Sequence, residues 1–290
     1  MTSSWMLVSG FLFAAAGVFI KLGAEWFDAA EMAFYRSLFT FAAVAVVIAV
    51  RGGNLWPGPT LGTHLVRGTM GAISLMGYFY AMTKLPLATA QTLNYTSPLF
   101  LAIATTLVMG EKFKPALIVA VLVGFAGIAI LLRPSFGTGQ EAAALIGLFS
   151  GAFASWAYLS VRTLGRAGEP DWRIVAWFGI TASVLCAAGQ LATSTFHAVN
   201  AANWWVIAGV GVTGTLAQLA MTRAYSTGNT LVSGALSYST IVYATIFMVV
   251  IWDEKLSPLS WAGMVIIVAS GLLALYAEKQ EDQKEAGFES

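Results

Sequence analysis

Glu111-Lys112-Phe113-Lys114-Pro115 recurs as Glu254-Lys255-Leu256-Ser257-Pro258, at matching points of a chain that is otherwise almost continuous apolar segments. Sliding the chain on itself by 143 positions, the interval between the two glutamates, also pairs Ala81 with Ala224, Leu93 with Leu236, Tyr95 with Tyr238, Ile103 with Ile246, Ala126 with Ala269 and Leu132 with Leu275 without a gap. A register of that length marks an internal duplication. The apolar segments say what kind of unit was duplicated.

Of 290 residues, 58% are hydrophobic and only 10% charged, and the mean hydropathy is +0.76. So little polar surface cannot cover a soluble globule of this size, and the chain belongs in a lipid bilayer. A net charge of +1 without any basic run offers nothing to nucleic acid. The single cysteine, Cys186, excludes an internal disulfide and sits in an apolar stretch, where a buried, inert thiol is expected. Met1 to Ser4 carry no basic region ahead of the first apolar span, so no cleaved signal peptide is expected.

An apolar helix needs about 20 residues to cross the hydrocarbon core. On that criterion ten spans are expected, at roughly 4–22, 30–50, 64–83, 88–108, 115–133, 142–163, 173–193, 203–223, 231–251 and 258–277. Short separators with turn chemistry or charge, such as Arg51-Gly52-Gly53-Asn54 and Ser226-Thr227-Gly228-Asn229, force neighbouring spans to run antiparallel. With the N-terminus in the cytoplasm, ten Lys and Arg fall in inside connections (Arg67 and Lys112 among them) and four outside (Lys21, Lys84, Arg133 and Lys255), with Arg36 inside a span. That bias puts both termini inside. Five spans per copy is an odd number, so the second copy is inserted upside down. The expected fold is therefore an all-α membrane protein with a 5+5 inverted-topology repeat, residues 1–136 and 137–277, and a polar, frayed cytoplasmic tail, 278–290.

Ten spans, a Gly110-Glu111-Lys112 turn after span 4 and an Asp253-Glu254-Lys255 turn after span 9 resemble the drug/metabolite transporter (DMT) superfamily, and more closely its EamA-domain members. The likeness is carried by Ala81 to Leu132, Ala224 to Leu275 and Phe34-Tyr35-Arg36, and the span plan covers all but the tail. Within the family, the tyrosines of spans 3, 4 and 9 look most like those of YddG-type exporters of aromatic amino acids. The resemblance implies a basket of helices in a bacterial inner membrane, with a central cavity walled mainly by spans 1, 3, 4, 6, 8 and 9 and with spans 5 and 10 peripheral. It also implies a small-molecule substrate. The sequence departs from the family pattern at Ile241, where a proline is usual; the counterpart in span 4 is Pro98.

Gln91, Asn94, Tyr95 and Pro98 share one helical face of span 4. Side-chain amides and hydroxyls are costly in hydrocarbon unless paired or hydrated, so this stripe meets either a neighbouring helix or an aqueous cavity. Span 9 repeats the arrangement with Ser233, Gly234, Ser237, Tyr238 and Ile241, which favours a shared central site. Ser74, Tyr78 and Met82 of span 3, Gln218 and Met221 of span 8 and Trp156 of span 6 would complete it. Rings and methionines suit an apolar ring; amides and hydroxyls suit an ammonium and a carboxylate. Core packing is the plain alternative for Tyr78 and Trp156. Pro86, Pro98, Gly228 and Gly234 are the expected flexible points. Arg36 lies about 9 Å deep at 1.5 Å per residue and needs a partner: Glu31, a backbone carbonyl, or a substrate carboxylate.

No mid-span acid is present to serve a proton relay on Asp or Glu. A nucleotide-binding loop is also missing, so no cofactor is implied. His64 and His197 stand apart at span edges with no ligand at metal spacing in sequence, and no metal site is expected. Neither a nucleophile elbow nor paired aspartates support an intramembrane enzyme. The expected activity is outward secondary transport of a small amphipathic metabolite, aromatic or other neutral amino acids foremost, with another metabolite, a cationic drug or a passive channel as alternatives. The sequence leaves monomer and homodimer equally open.

Overall fold

The computed structural model describes residues 2–108, 110, 114–135 and 137–288. They form α1 (Trp5–Gly23), α2 (Ala29–Arg51), α3 (Leu61–Lys84), α4 (Leu87–Asn94), α5 (Ser97–Leu107), α6 (Pro115–Leu132), α7 (Glu141–Arg166), α8 (Asp171–Thr193), α9 (Trp204–Thr227), α10 (Thr230–Ser237), α11 (Ser239–Trp252) and α12 (Pro258–Phe288), with no strand among the described residues. Among the described residues eight segments are long and apolar enough to cross a membrane: six single helices of the set, α1 with its preceding turn, and α10 with α11. The ten expected from sequence are not all reached. α3 is diluted by His64, Arg67, Lys84 and several hydroxyls, and α4 and α5 span only 8 and 11 residues.

The 143-residue echo becomes a structural register. α9 begins and ends 143 positions after α3, and α10 does so after α4. Two breaks fall at equivalent places, Tyr95-Thr96 between α4 and α5 and Tyr238 between α10 and α11. At the first, Pro98 has no N–H to continue the ladder, and the chain tightens through Thr96 N–H to Leu93 O at 3.2 Å. At the second there is no proline, yet Ile241 N–H reaches Tyr238 O at 3.1 Å in the same tight manner. Each break nests against a glycine on the first helix of the opposite half. A Cβ at Gly151 of α7 would stand 3.0 Å from the Asn94 carbonyl oxygen, and one at Gly10 of α1 would stand 2.8 Å from Ser239 Oγ.

Helices pair across the duplication: α2 with α8, α6 with α12, α3 with α7 and α1 with α9. Lipid tails are as apolar as leucine, so close approach and interhelical hydrogen bonds hold such pairs at about 0.6 to 2 kcal/mol per bond. Gly127 and Gly263 let α6 and α12 touch backbone to backbone, where an added Cβ would lie 3.0 Å or less from a partner carbonyl. Ser9 Oγ donates to Ala217 O at 2.9 Å, Ser74 Oγ to Ser150 O at 2.8 Å, and Thr40 and Thr215 share a 2.9 Å bond.

Glu111 and Lys112 of the first echo lie outside the described residues. In the second, Asp253 takes a left-handed φ of 53° and ends α11 before Glu254. The tail expected to fray instead continues α12 to Phe288. Ala277 through Ala286 hold only good or tolerable helix formers with no proline or glycine to stop them. Near its start Ser3 Oγ donates to Glu278 Oε1 at 2.6 Å, tying the two ends of the chain together.

Candidate functional site

The two helix breaks flank a central space of two joined lobes. One, of about 110 Å³, is lined by Met6, Phe13, Asn94, Tyr95, Ser97, Tyr158, Met221, Tyr225, Ser237 and Thr240. The other, of about 150 Å³, adds Arg36, Arg67, Gly71, Ser74, Leu75, Tyr78, Ala154, Ala157, Phe178 and Gln218, and shares Phe13, Asn94, Tyr158 and Met221 with the first. Among the described residues none of α6 or α12 lines either lobe, whereas α2 and α8 supply Arg36 and Phe178 in addition to the six walls expected.

Equivalent positions build both sides. Gly71, Leu75 and Tyr78 of α3 face the space, as do Gly214's neighbours Gln218 and Met221 at the same register of α9. Asn94 answers to Ser237 and Ser97 to Thr240. The breaks at Tyr95 and Tyr238 set the starts of α5 and α11, with their positive dipole ends, at the smaller lobe, where Ser97 and Thr240 line it.

Charge in this space is one-sided. Arg67 is 2% exposed, its Nε has no hydrogen-bond partner, and its guanidinium lies 4.1 Å from the Phe178 ring centroid. Arg36 stands 5.9 Å from the Phe13 ring. Among the described residues neither guanidinium makes an ion pair, and neither lobe is lined by Asp or Glu. Glu31, a partner considered for Arg36, is instead engaged by His197. Two glycines give the arginines room. A Cβ at Gly71 would meet Arg67 Nη1 at 2.6 Å, and one at Gly214 would meet Arg36 Cδ at 2.9 Å.

Of the residues expected from sequence, Tyr78, Asn94, Tyr95, Gln218 and Ser237 line the lobes. Asn94 Nδ2 donates to Ser150 Oγ at 3.0 Å, and Gln218, 4% exposed, leaves Nε2 without a partner. Tyr238 is fully buried, its ring 6.3 Å from Tyr95 and against Gly124 of α6. Met82 packs beside Tyr78 with Ala81 and Leu85. Gln91 is not among the residues lining either lobe and sits at the Tyr78 hydroxyl. Trp156 is 45% exposed on the outside of α7, because one residue of helix turns it about 100° from the cavity-facing Ala157. Among the flexible points, Gly234 lies against Pro98, its added Cβ 3.3 Å from the proline Cβ, so α10 and α5 cross there. Gly228 caps α9 with its carbonyl receiving Arg162 Nη1 at 3.0 Å, and Pro86 precedes α4.

Sequence reasoning missed Arg67, Tyr158, Tyr225, Phe13 and Phe178. Tyr158 and Tyr225 stack at 4.7 Å and 11°. The sequence expectation places Arg67 with the inside connections, but α3 begins at Leu61, which sets it six residues into the helix. The histidines also find carboxylates that sequence spacing hides. His197 donates its backbone N–H to Glu31 Oε1 at 2.9 Å and places Nδ1 2.8 Å from Oε2; Asp28 completes a group whose ligand-type atoms all lie within 4.8 Å. Both Glu31 oxygens are thus engaged, which makes the group a clamp between α2 and the α8–α9 connection. His64 Nε2 lies 3.6 Å from Glu169. Burial pushes the Glu169 carboxyl up, but hydrogen bonds from Thr60 and Arg173 outweigh it and hold it below the ordinary carboxylate value.

The EamA-like transporter family matches residues 1–133 and again 142–276. An uncharacterized transporter of Helicobacter pylori (strain J99) is 26% identical over 277 residues, 93% of each chain. The pseudopaline exporter CntI of Pseudomonas aeruginosa (strain UCBPP-PA14) is 29% identical over 267 residues, 91% of this chain and 92% of that protein. A solved crystal structure overlays with a TM-score of 0.83, covering 96% of this chain and 98% of its own, at 19% identity, which speaks for the fold alone. With a cavity between two echoing sets of helices and the family matched once in each, the chain is a multi-pass membrane transporter and belongs to the EamA-like transporter family of the DMT superfamily.

Proposed function

We propose that this transporter carries small amphipathic, carboxylate-bearing metabolites out of the cell across a bacterial inner membrane by alternating access, aromatic and other amino acids among them. The observation that carries the reading is the two-lobed cavity lined from equivalent positions of both halves, with arginines, rings and amides in one enclosure. A space of about 150 Å³ takes a body the size of a benzene ring. Tyr78, Tyr158, Phe178 and Met221 offer ring faces and thioether to such a body; Asn94, Gln218 and the arginines offer donors to its carboxylate.

In this reading α3 and the broken α4–α5 also cross, giving ten crossings in two inverted halves, 1–136 and 137–277, ahead of the polar tail, 278–290. Both termini face the cytoplasm, as the ten-to-four placement of Lys and Arg supports. Rocking of the halves, with the breaks and the Gly234–Pro98 crossing as pivots, exposes the lobes to each side in turn. The outward direction leans on the exporter named among the relatives. A cationic substrate is disfavoured by two arginines that, among the described residues, meet no carboxylate in the cavity.

Saturable uptake of labelled Phe, Trp and Tyr into proteoliposomes, against other amino acids and with or without a pH gradient, tests the reading. We expect saturation and counterflow, with Asn94→Ala and Tyr95→Ala each reducing flux about tenfold, the worth of one charge-assisted hydrogen bond. Flux that does not saturate, or wild-type flux in both variants at normal expression, would overturn it.

A further inference from the structure

Arg36 and Arg67 both belong to the first half of the chain, line the same lobe, and meet no carboxylate among the described residues. A single buried cation can serve as an anchor by reaching a backbone carbonyl. Neither does so: no hydrogen bond from either guanidinium is made among the described residues, and Arg67 Nε is left with none. The lobe's other orphan is also a donor, Gln218 Nε2. The smaller lobe adds the positive ends of the α5 and α11 dipoles and the unpartnered Tyr225 hydroxyl. Among the described lining residues the only charges are the two guanidiniums, so the excess of positive charge is two.

Uncompensated charge in a low-dielectric enclosure is strongly unfavourable, and what neutralises it must come from outside the protein. A zwitterionic amino acid brings one carboxylate together with an ammonium that finds no anionic partner in either lobe. Resting on the transporter reading above, we infer that the preferred substrate carries two acidic groups, one for each guanidinium, joined by an apolar or ring-bearing body that lies among Phe13, Tyr158 and Phe178. Gly71 and Gly214 fit this assignment. At the same register of the two halves, each clears the space through which one arginine side chain reaches the lobe.

The test uses the purified full chain in detergent and in proteoliposomes, with phthalate, benzoate, phenyl phosphate and phenylalanine as probes. Phthalate should raise the melting temperature, and compete for flux, at about 10- to 100-fold lower concentration than benzoate or phenylalanine, the range of one added charge-assisted hydrogen-bonded contact. Phenyl phosphate, whose two charges share one group, should fall short of phthalate. Arg36→Gln and Arg67→Gln should each bring phthalate down to the level of benzoate while leaving the ligand-free melting temperature equal or higher, because each removes a charge that meets ring faces but no carboxylate among the described residues. Equal potency of phthalate and benzoate, phenyl phosphate matching phthalate, or a lowered ligand-free melting temperature in both variants would overturn the inference. Saturable phenylalanine flux without a phthalate advantage would do so while leaving the transport reading intact. Phthalate binding without saturable flux of any probe would instead sink the transport reading.

Discussion

The two halves of this molecule share a skeleton and differ in charge. α9 repeats α3 and α10 repeats α4 end for end, the helix pairs α4–α5 and α10–α11 break at the equivalent tyrosine, and the glycines that clear the cavity, Gly71 and Gly214, are themselves 143 positions apart. Yet both cavity arginines come from the first half. Arg67 is answered in the second by Val210, fully buried with Phe27, Met32 and Val206, and the stretch of α8 opposite Arg36 in the register is Phe178-Gly179. Symmetry supplies two similar walls that can be exchanged; the asymmetry tells the substrate which way round to lie. Duplication therefore explains the container better than its contents.

The largest effect should come from forcing the halves to match. Val210→Arg would put a guanidinium into a buried cluster with Phe27, Met32 and Val206, and an unpaired buried charge costs about 3–5 kcal/mol. We expect the variant to lose most of its thermal stability in detergent, whereas Arg67→Val does not. Equal stability in the two would mean that the halves tolerate charge alike and that the asymmetry carries no information.

Next in size are the two equivalent glycines. Gly71→Ala sets a methyl 2.6 Å from Arg67 Nη1, and Gly214→Ala sets one 2.9 Å from Arg36 Cδ, so each arginine must shift. Gly71 meets the far end of the Arg67 side chain, which yields easily, so its stability cost should sit at the low end of the roughly 1–3 kcal/mol typical of overpacking; Gly214 meets the Arg36 stem at Cγ and Cδ and should cost more within that range. Flux should fall about tenfold in both, through displacement of a charge rather than loss of the fold. Wild-type flux in Gly71→Ala would separate Arg67 from the transport path.

What could be read beforehand divides along the same line. The duplication, the helix order and the central position of Tyr78, Asn94, Tyr95 and Gln218 follow from local pattern, because period, polarity and repeat register are all carried by neighbours in sequence. The arginine pair was not legible in that way. Arg36 stood out, but Arg67 sits near a helix start where positive residues usually mark a loop, and only packing shows that its side chain turns inward. Trp156 erred in the opposite sense: helical spacing gives the face only to within a residue, and Ala157 and Tyr158 take the inner positions. The clamp of His197 on Glu31 joins residues 166 positions apart, which no motif spacing records.

Smaller effects are expected at the breaks. The second half unwinds at Tyr238 without a proline, so proline is not what creates the break; nesting against Gly10 and Gly151 is common to both. Ile241→Pro would sacrifice one tight bond, Ile241 N–H to Tyr238 O, in the first turn of α11, where proline is tolerated. It should cost about 1 kcal/mol, and Pro98→Ala should cost no more, with flux retained in both. A collapse of flux in Pro98→Ala alone would restore the proline as a specific device of the first half.

The last contrast is between the cavity, which holds charge without partners, and the edge of the bundle, where charge is paired. His197 is half exposed beside a fully buried Glu31, and the hydrogen bond to that carboxylate pushes the imidazole above its ordinary value of 6.5. Its folded value being the higher one, protonation and folding support each other: the contribution is complete below pH 6.5 and fades as pH rises through the raised value. The melting temperature of the wild type should therefore exceed that of His197→Gln at pH 6 by more than it does at pH 9. Solvent on the exposed side of the imidazole screens the pair and makes this the smallest of the effects. A difference that stays constant with pH would reduce the clamp to the backbone N–H of His197, which donates to Glu31 whatever the imidazole carries.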